Sequence, residues 1–288
     1  MTPRPIRVVD AHVHLWDPDN SDWYPYLSTV PHGAAGDPSR MYRKYDVRRY
    51  RSESEAWHVD KFVNVAAATG RNSIEETIAL DRSAEADGGP HGIIGGLPPT
   101  GSIAESIEDL DRQMTAPRFR GVRPMGPSAP PVPEVEVLEA LRDRNLVFEL
   151  MARSDQLAPS AEQLEGVDGL QVVVEHTGWP RSGAPEEYAV WREGITALAE
   201  LGPEVSCKLS GLAMPLQTMD ASVLGPWIEH AIECFGVSRC LFASNFPVDA
   251  TYGTFDDLYE TFSAVTAGLD EESRDLLFAS NAERIYRL

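Results

Sequence analysis

Residues 8–18 read VVDAHVHLWDP, and the apolar/polar alternation from Val8 to His14 is that of a β-strand. On such a strand Val9, Ala11 and Val13 share one face and Asp10, His12 and His14 the other. The period of two thus sends both imidazoles to one side. Two imidazoles so placed can chelate one divalent cation or serve as hydrogen-bonding and proton-transfer groups.

Seven further β-branched or aliphatic runs follow along the chain: FVNVAAATG (62–70), GIIGGLPP (92–99), RGVRP (120–124), LVFELMA (146–152), LQVVVEHTG (170–178), EVSCKLSG (204–211) and RCLFASNFP (239–247). Segments between them, such as SIEETIALDRSAEAD (73–87), EVEVLEALRDR (134–144) and PEEYAVWREGITALAEL (185–201), space their apolar residues as amphipathic helices do. Eight strands alternating with helices predict an α/β fold, a (β/α)8 TIM-like barrel forming a single domain over residues 1–288. Two departures stand out. The stretch from Trp16 to about Asp60, rich in Trp, Tyr, Pro and Arg, is too long for an ordinary loop after strand one and is expected to fold over the barrel mouth. Pro127 to Pro133 form a second irregular loop, and residues 270–288 read as a closing helix and tail.

The 288 residues, 42% of them hydrophobic, supply ample core, and the net charge of −20 argues against nucleic acid or an anionic membrane surface as partner. Cys207, Cys234 and Cys240 are few, odd in number and set among apolar residues, which predicts reduced thiols and a cytoplasmic setting. The first residues lack the apolar segment of a secretory signal, and no run is long enough to span a bilayer. A small-molecule substrate is the expected partner. A homo-oligomer is compatible with the sequence but not required by it.

In a barrel of this kind the site is assembled at the C-terminal ends of the strands, so polar residues there need explaining. Strand one supplies His12 and His14, strand four Arg123, strand five Glu149, strand six His176, strand seven Lys208 and Ser210, and strand eight Asn245. Glu175 adjoins His176, and by parity is expected to face away from the axis in a structural role. His32, His58, His91 and His230 lie in loops or helices and receive no role. Trp16, Trp23, Tyr24 and Tyr26 could close over a ligand.

DAHVHLWDP, GVRP, VVVEHTGWP, CKLSGL, RCLFASNFPVD and NAERIYRL occur in this order over essentially the whole chain. Together they resemble the amidohydrolase superfamily, in particular the branch that opens sugar lactones and carboxylated lactones. The resemblance implies a reaction centre built from the strand-one and strand-six histidines, here His12, His14 and His176, with or without a divalent metal. It also implies a strand-eight aspartate serving as metal ligand and base, where this chain has Asn245 in S-N-F-P. The usual D-H-x-G of strand six reads Glu175-His176-Thr177-Gly178.

A carboxamide cannot take a proton near neutral pH, so Asn245 can orient a water or polarise a carbonyl while another group acts as base. The histidines are the preferred bases, ahead of Glu149. Loss of an anionic ligand lowers affinity for a hard cation more than for zinc, so one zinc ion on His12, His14 and His176 is compatible rather than required. Arg123 and Lys208 suit a substrate carboxylate or an oxyanion, with Glu149, Ser210 and Trp16 beside them. The leading expectation is a hydrolase that opens a small lactone or similar C–O bond of an anionic or polyhydroxylated substrate by water attack. The alternatives are decarboxylation or hydration of an unsaturated acid on the same barrel, and a non-catalytic ligand-binding homologue.

Overall fold

The protein is described here by a computed structural model covering residues 4–5, 7–29, 36–99, 101–126 and 129–288. His32, and Pro127 and Ser128 of the proline-rich loop, lie outside the described residues. Eight strands run in chain order: β1 (Val8–Val13), β2 (Val59–Val65), β3 (Gly92–Leu97), β4 (Phe119–Pro124), β5 (Val147–Leu150), β6 (Val172–Val174), β7 (Val205–Leu209) and β8 (Cys240–Phe242). Each pairs in parallel with the next. β8 returns to β1 through the parallel bridge Val13–Phe246, with His14 N donating to Phe246 O at 2.8 Å and Asn245 N to His12 O at 2.9 Å. The result is a nearly closed (β/α)8 barrel, in which helices supply the crossovers that parallel strands need.

Alternation along the strands sorts the apolar residues into two sets. Phe148, Leu150, Val172, Val174, Cys207, Leu209 and Phe242 belong to the layer packed against the helices. Val9, Ala11, Val63, Val65, Val147, Val173, Leu241 and Ala243 fill the barrel interior, together with Ala279, Ala282, Ile285 and Tyr286 of the C-terminal segment. That segment, the closing element predicted from residues 270–288, therefore plugs the barrel floor. Two further helices, those following β5 and β8, complete the shell. Ser154–Leu164 carries Pro159 inside it, and Phe255–Val265 is held at its start by a capping box between Thr254 and Asp257.

The long insertion does two jobs. Its first part reaches the mouth: Trp16 bridges Tyr45, Tyr24 Oη donates to Glu76 at 2.8 Å, and Tyr26 Oη donates to the Ala67 carbonyl just past β2 at 2.9 Å. Its second part, the helix Val47–Glu53, packs on the barrel flank through Tyr50, against Phe62 and Phe255. No helix among the described residues is long and apolar enough to cross a membrane.

Candidate active site

The strict alternation expected on β1 is broken. Asp10 pairs with Phe62 and Val13 with Asn64, so three steps on β1 face two on β2, the signature of a bulge. Val9 and Ala11 point into the barrel, whereas Val13 and Leu15 point to the helices. The extra residue resets the parity, so that His12 and His14 face inward while Asp10, predicted to share their face, lies on the opposite one. There Asp10 is fully buried and accepts from Tyr50 Oη at 2.9 Å, Ser244 N at 2.8 Å and His12 N at 3.3 Å. Burial raises its pKa, and these hydrogen bonds oppose the rise. Asp10 thus ties β1, β8 and the insertion together at the bulge.

His14 Nδ1 donates to the Val65 carbonyl at 2.8 Å, which leaves its Nε2 as a lone pair. That Nε2 lies 3.2 Å from His12 Nε2, and the Trp16 indole stacks on the His14 ring at 5.6 Å and 8°.

Glu175 is the main revision to the sequence reading. Val172 and Val174 face the helices and Val173 the interior, so the next inward position is Glu175. The chain then leaves the strand through His176 (φ 52°) and Thr177 (φ 54°), both left-handed. This turn folds the His176 ring back toward His12, with centroids 4.6 Å apart, although its strand parity was that of Val174. The ring lies over Gly211, where a Cβ would come within 2.5 Å of Nδ1, and Nδ1 sits 3.1 Å from Ser210 Oγ. Ser210 therefore orients His176.

Arg123 Nη1 donates to Glu175 Oε2 at 3.3 Å and Nη2 to the Ala66 carbonyl at 2.5 Å. Glu175 Oε1 lies 3.8 Å from His12 Nδ1 and accepts no hydrogen bond from the described residues, though it is fully buried.

Below the histidines, Lys208 Nζ contacts both carboxylate oxygens of Glu149 at 2.7 Å and approaches His12 Nδ1 at 3.4 Å. Tyr286 Oη, rising from the floor, donates to Glu149 Oε1 at 2.5 Å. Lys208 and Glu149 are closed to solvent, so the geometry sets them beneath the imidazoles rather than at the mouth. Burial pushes the Glu149 carboxyl up against the pull of Lys208, with neighbouring Glu175 adding to the rise. Burial also acts to raise Glu175, but the Arg123 guanidinium, with Lys208 in support, outweighs it and holds Glu175 below its ordinary range. Of the two acids, Glu175 is the one that loses its proton first.

Burial and the nearby cations pull all three imidazoles down. His14 falls to about 3 and His176 to about 4, while His12 drops well below its ordinary value. All are neutral at pH 7, the state in which imidazole binds metals or accepts protons.

Asn245 follows β8 in a left-handed conformation (φ 56°), which asparagine tolerates better than most residues. Its Nδ2 donates to Asp249 Oδ1 at 2.9 Å and contacts Met214 Sδ at 3.7 Å. Asp249, which the sequence reading did not single out, is fully buried, and burial raises its pKa to about 8. His58, His91 and His230 take no part in this cluster: each contacts groups of the flank or helix layer instead.

The cluster fits a divalent cation. His12, Glu175 and His176 offer ligand atoms that all lie within 4.8 Å of one another. The bare, anionic Oε1 of Glu175 is the buried atom such an ion would satisfy. Glu175 thus joins His12 and His176 of the expected donor set, and His14 lies outside this three-residue group.

Residues 9–288 match the amidohydrolase family model. A protein of Sinorhizobium fredii known as the uncharacterized protein y4mH is 30% identical over 98% of this chain and 99% of its own length. An L-fucono-1,5-lactonase of Burkholderia ambifaria is 28% identical over 60% of this chain, which spans 62% of that enzyme. An amidohydrolase of Burkholderia multivorans, crystallised with bound zinc, superposes with a TM-score of 0.81 at 22% identity, over 98% of this chain and 99% of its own. The chain belongs to the amidohydrolase family and is a hydrolytic enzyme.

Proposed function

We propose that this enzyme opens the ring ester of a small lactone bearing carboxylate or hydroxyl groups, releasing the hydroxy acid, in the cytoplasm. The observation that carries the reading is the buried carboxylate of Glu175 flanked by the neutral imidazoles of His12 and His176, each 3.8 Å away, with His14 beside His12 and a guanidinium on Glu175 Oε2. The partial similarity to an L-fucono-1,5-lactonase supports a lactone as substrate.

In this reading Arg123, the least buried of the charged groups around Glu175, receives the substrate's anionic or carbonyl oxygen, since its Nε has no partner among the described residues. A water attacks the carbonyl carbon. Its proton passes to Nε2 of His14, the acceptor nitrogen 3.2 Å from His12 Nε2, whose tautomer is fixed by Val65. Arg123 steadies the oxyanion as the tetrahedral centre forms, and the Asn245 Oδ1, the end of the amide not engaged by Asp249, orients the attacking water. The ring C–O bond then breaks, and the leaving oxygen takes the proton back from His14. Trp16, stacked on His14, keeps bulk water from this proton. A divalent ion held by His12, Glu175 and His176 would polarise the carbonyl and acidify the water.

The test is a panel of aldonic, uronic and carboxylated lactones, assayed by acid release with added zinc or manganese and after chelation. Ring opening of at least one lactone is expected. A panel with no turnover under any metal condition, or one with carbon dioxide release from unsaturated acids instead, would sink the reading.

A further inference from the structure

Asp249 has no role in the scheme above, yet burying it is costly. It is an acid with no exposure to solvent, its only hydrogen-bond partner among the described side chains is Asn245, and its Oδ2 has none. The backbone closes one end of this arrangement, because Asp249 N donates to Asn245 O at 3.2 Å and Asn245 N to His12 O at 2.9 Å. Met214 packs on the same amide nitrogen at 3.7 Å. The amide therefore has one end occupied, while Oδ1 has no protein partner among the described residues. A free primary amide can present either its donor or its acceptor to a reacting group, and only a fixed neighbour makes the choice.

We propose that Asp249 is a positioning residue that fixes which end of the Asn245 carboxamide faces the reaction centre. The neutral strand-eight amide is in this way given a buried acid that holds it in one orientation. The inference rests on the hydrolytic reading for its kinetic consequence, but not for its geometry.

Kinetics and spectroscopy test it separately. Asn245→Gly deletes the carboxamide while accommodating the left-handed backbone, and Asp249→Ala deletes the acid. Each is expected to lower kcat by about tenfold or more with KM changed less than about threefold. The double variant should be no slower than Asn245→Gly alone, since Asp249 acts through Asn245. Losses that multiply in the double variant, or an unchanged kcat in folded Asp249→Ala, would overturn the proposal.

In protein labelled with 15N-asparagine, the Asn245 side-chain signals are identified by their absence in Asn245→Gly. They should move upfield and exchange at least about tenfold faster in Asp249→Ala. Should that variant not fold, the near-isosteric Asp249→Asn offers the amide both a donor and an acceptor, and is expected to give two sets of Asn245 signals. Unshifted signals in either folded variant refute the positioning role even if the parent hydrolyses no lactone, a result that would defeat the hydrolytic reading alone.

Discussion

Lys208 Nζ lies 2.7 Å from both carboxylate oxygens of Glu149, and both side chains are 0% exposed. The pair connects the C-terminal Tyr286 at the barrel floor to His12 above it. Taking one partner away leaves the other buried and uncompensated. Lys208→Met is expected to cost about 3–5 kcal/mol in urea unfolding, and adding Glu149→Gln, which keeps an acceptor for Tyr286, to recover at least half of that loss. Equal stability of Lys208→Met and the parent would show that the pair does not carry this load.

Asp10 anchors the bulge that turns both strand-one histidines inward. Asp10→Ala strands Tyr50 Oη and Ser244 N inside the protein, with an expected cost of about 2–5 kcal/mol, and Asp10→Asn costs less because an acceptor oxygen remains. Chemical denaturation measures both. A loss below about 0.5 kcal/mol for Asp10→Ala would mean that the bulge holds without it.

The strand and helix alternation was legible because parallel barrel strands are buried on both faces and their helices are amphipathic. His12, His14, Arg123 and His176 were legible as polar residues at strand ends. The bulge was not, since the register between Asp10–Val13 and Phe62–Asn64 is a property of two strands and not of the sequence of one. Glu175 was misplaced for a related reason: parity was counted through His176, whereas the strand stops at Val174 and the following residues turn left-handed. The Lys208–Glu149 pair joins β5 and β7 across β6, a contact that only barrel closure creates. Asp249 lies past the end of β8, where neither strand nor helix periodicity marks a buried position.

Glu76 links the insertion to the barrel, accepting from Tyr24 Oη at 2.8 Å and from the backbone of Ala67 and Ala68 at 2.9 and 3.2 Å. Burial raises it from 4.5 to about 7, these hydrogen bonds notwithstanding. Between those two values the folded state binds more protons than the unfolded one, so stability present at low pH is lost as pH rises through this window. The contribution amounts to up to about 3 kcal/mol. Urea midpoints from pH 4.5 to 7.5 should fall more steeply for the parent than for Glu76→Gln. Parallel curves would show that Glu76 does not titrate in this range.

The central claim is that Glu175, with His12 and His176, forms an inward-facing centre able to hold one divalent cation. Zinc titration by calorimetry, run on chelator-stripped parent and on Glu175→Gln, tests it most directly. The account predicts one zinc per chain for the parent and an affinity about 10–100-fold weaker for the variant. Equal zinc affinity in the two proteins, or no zinc bound by a folded parent, would contradict it.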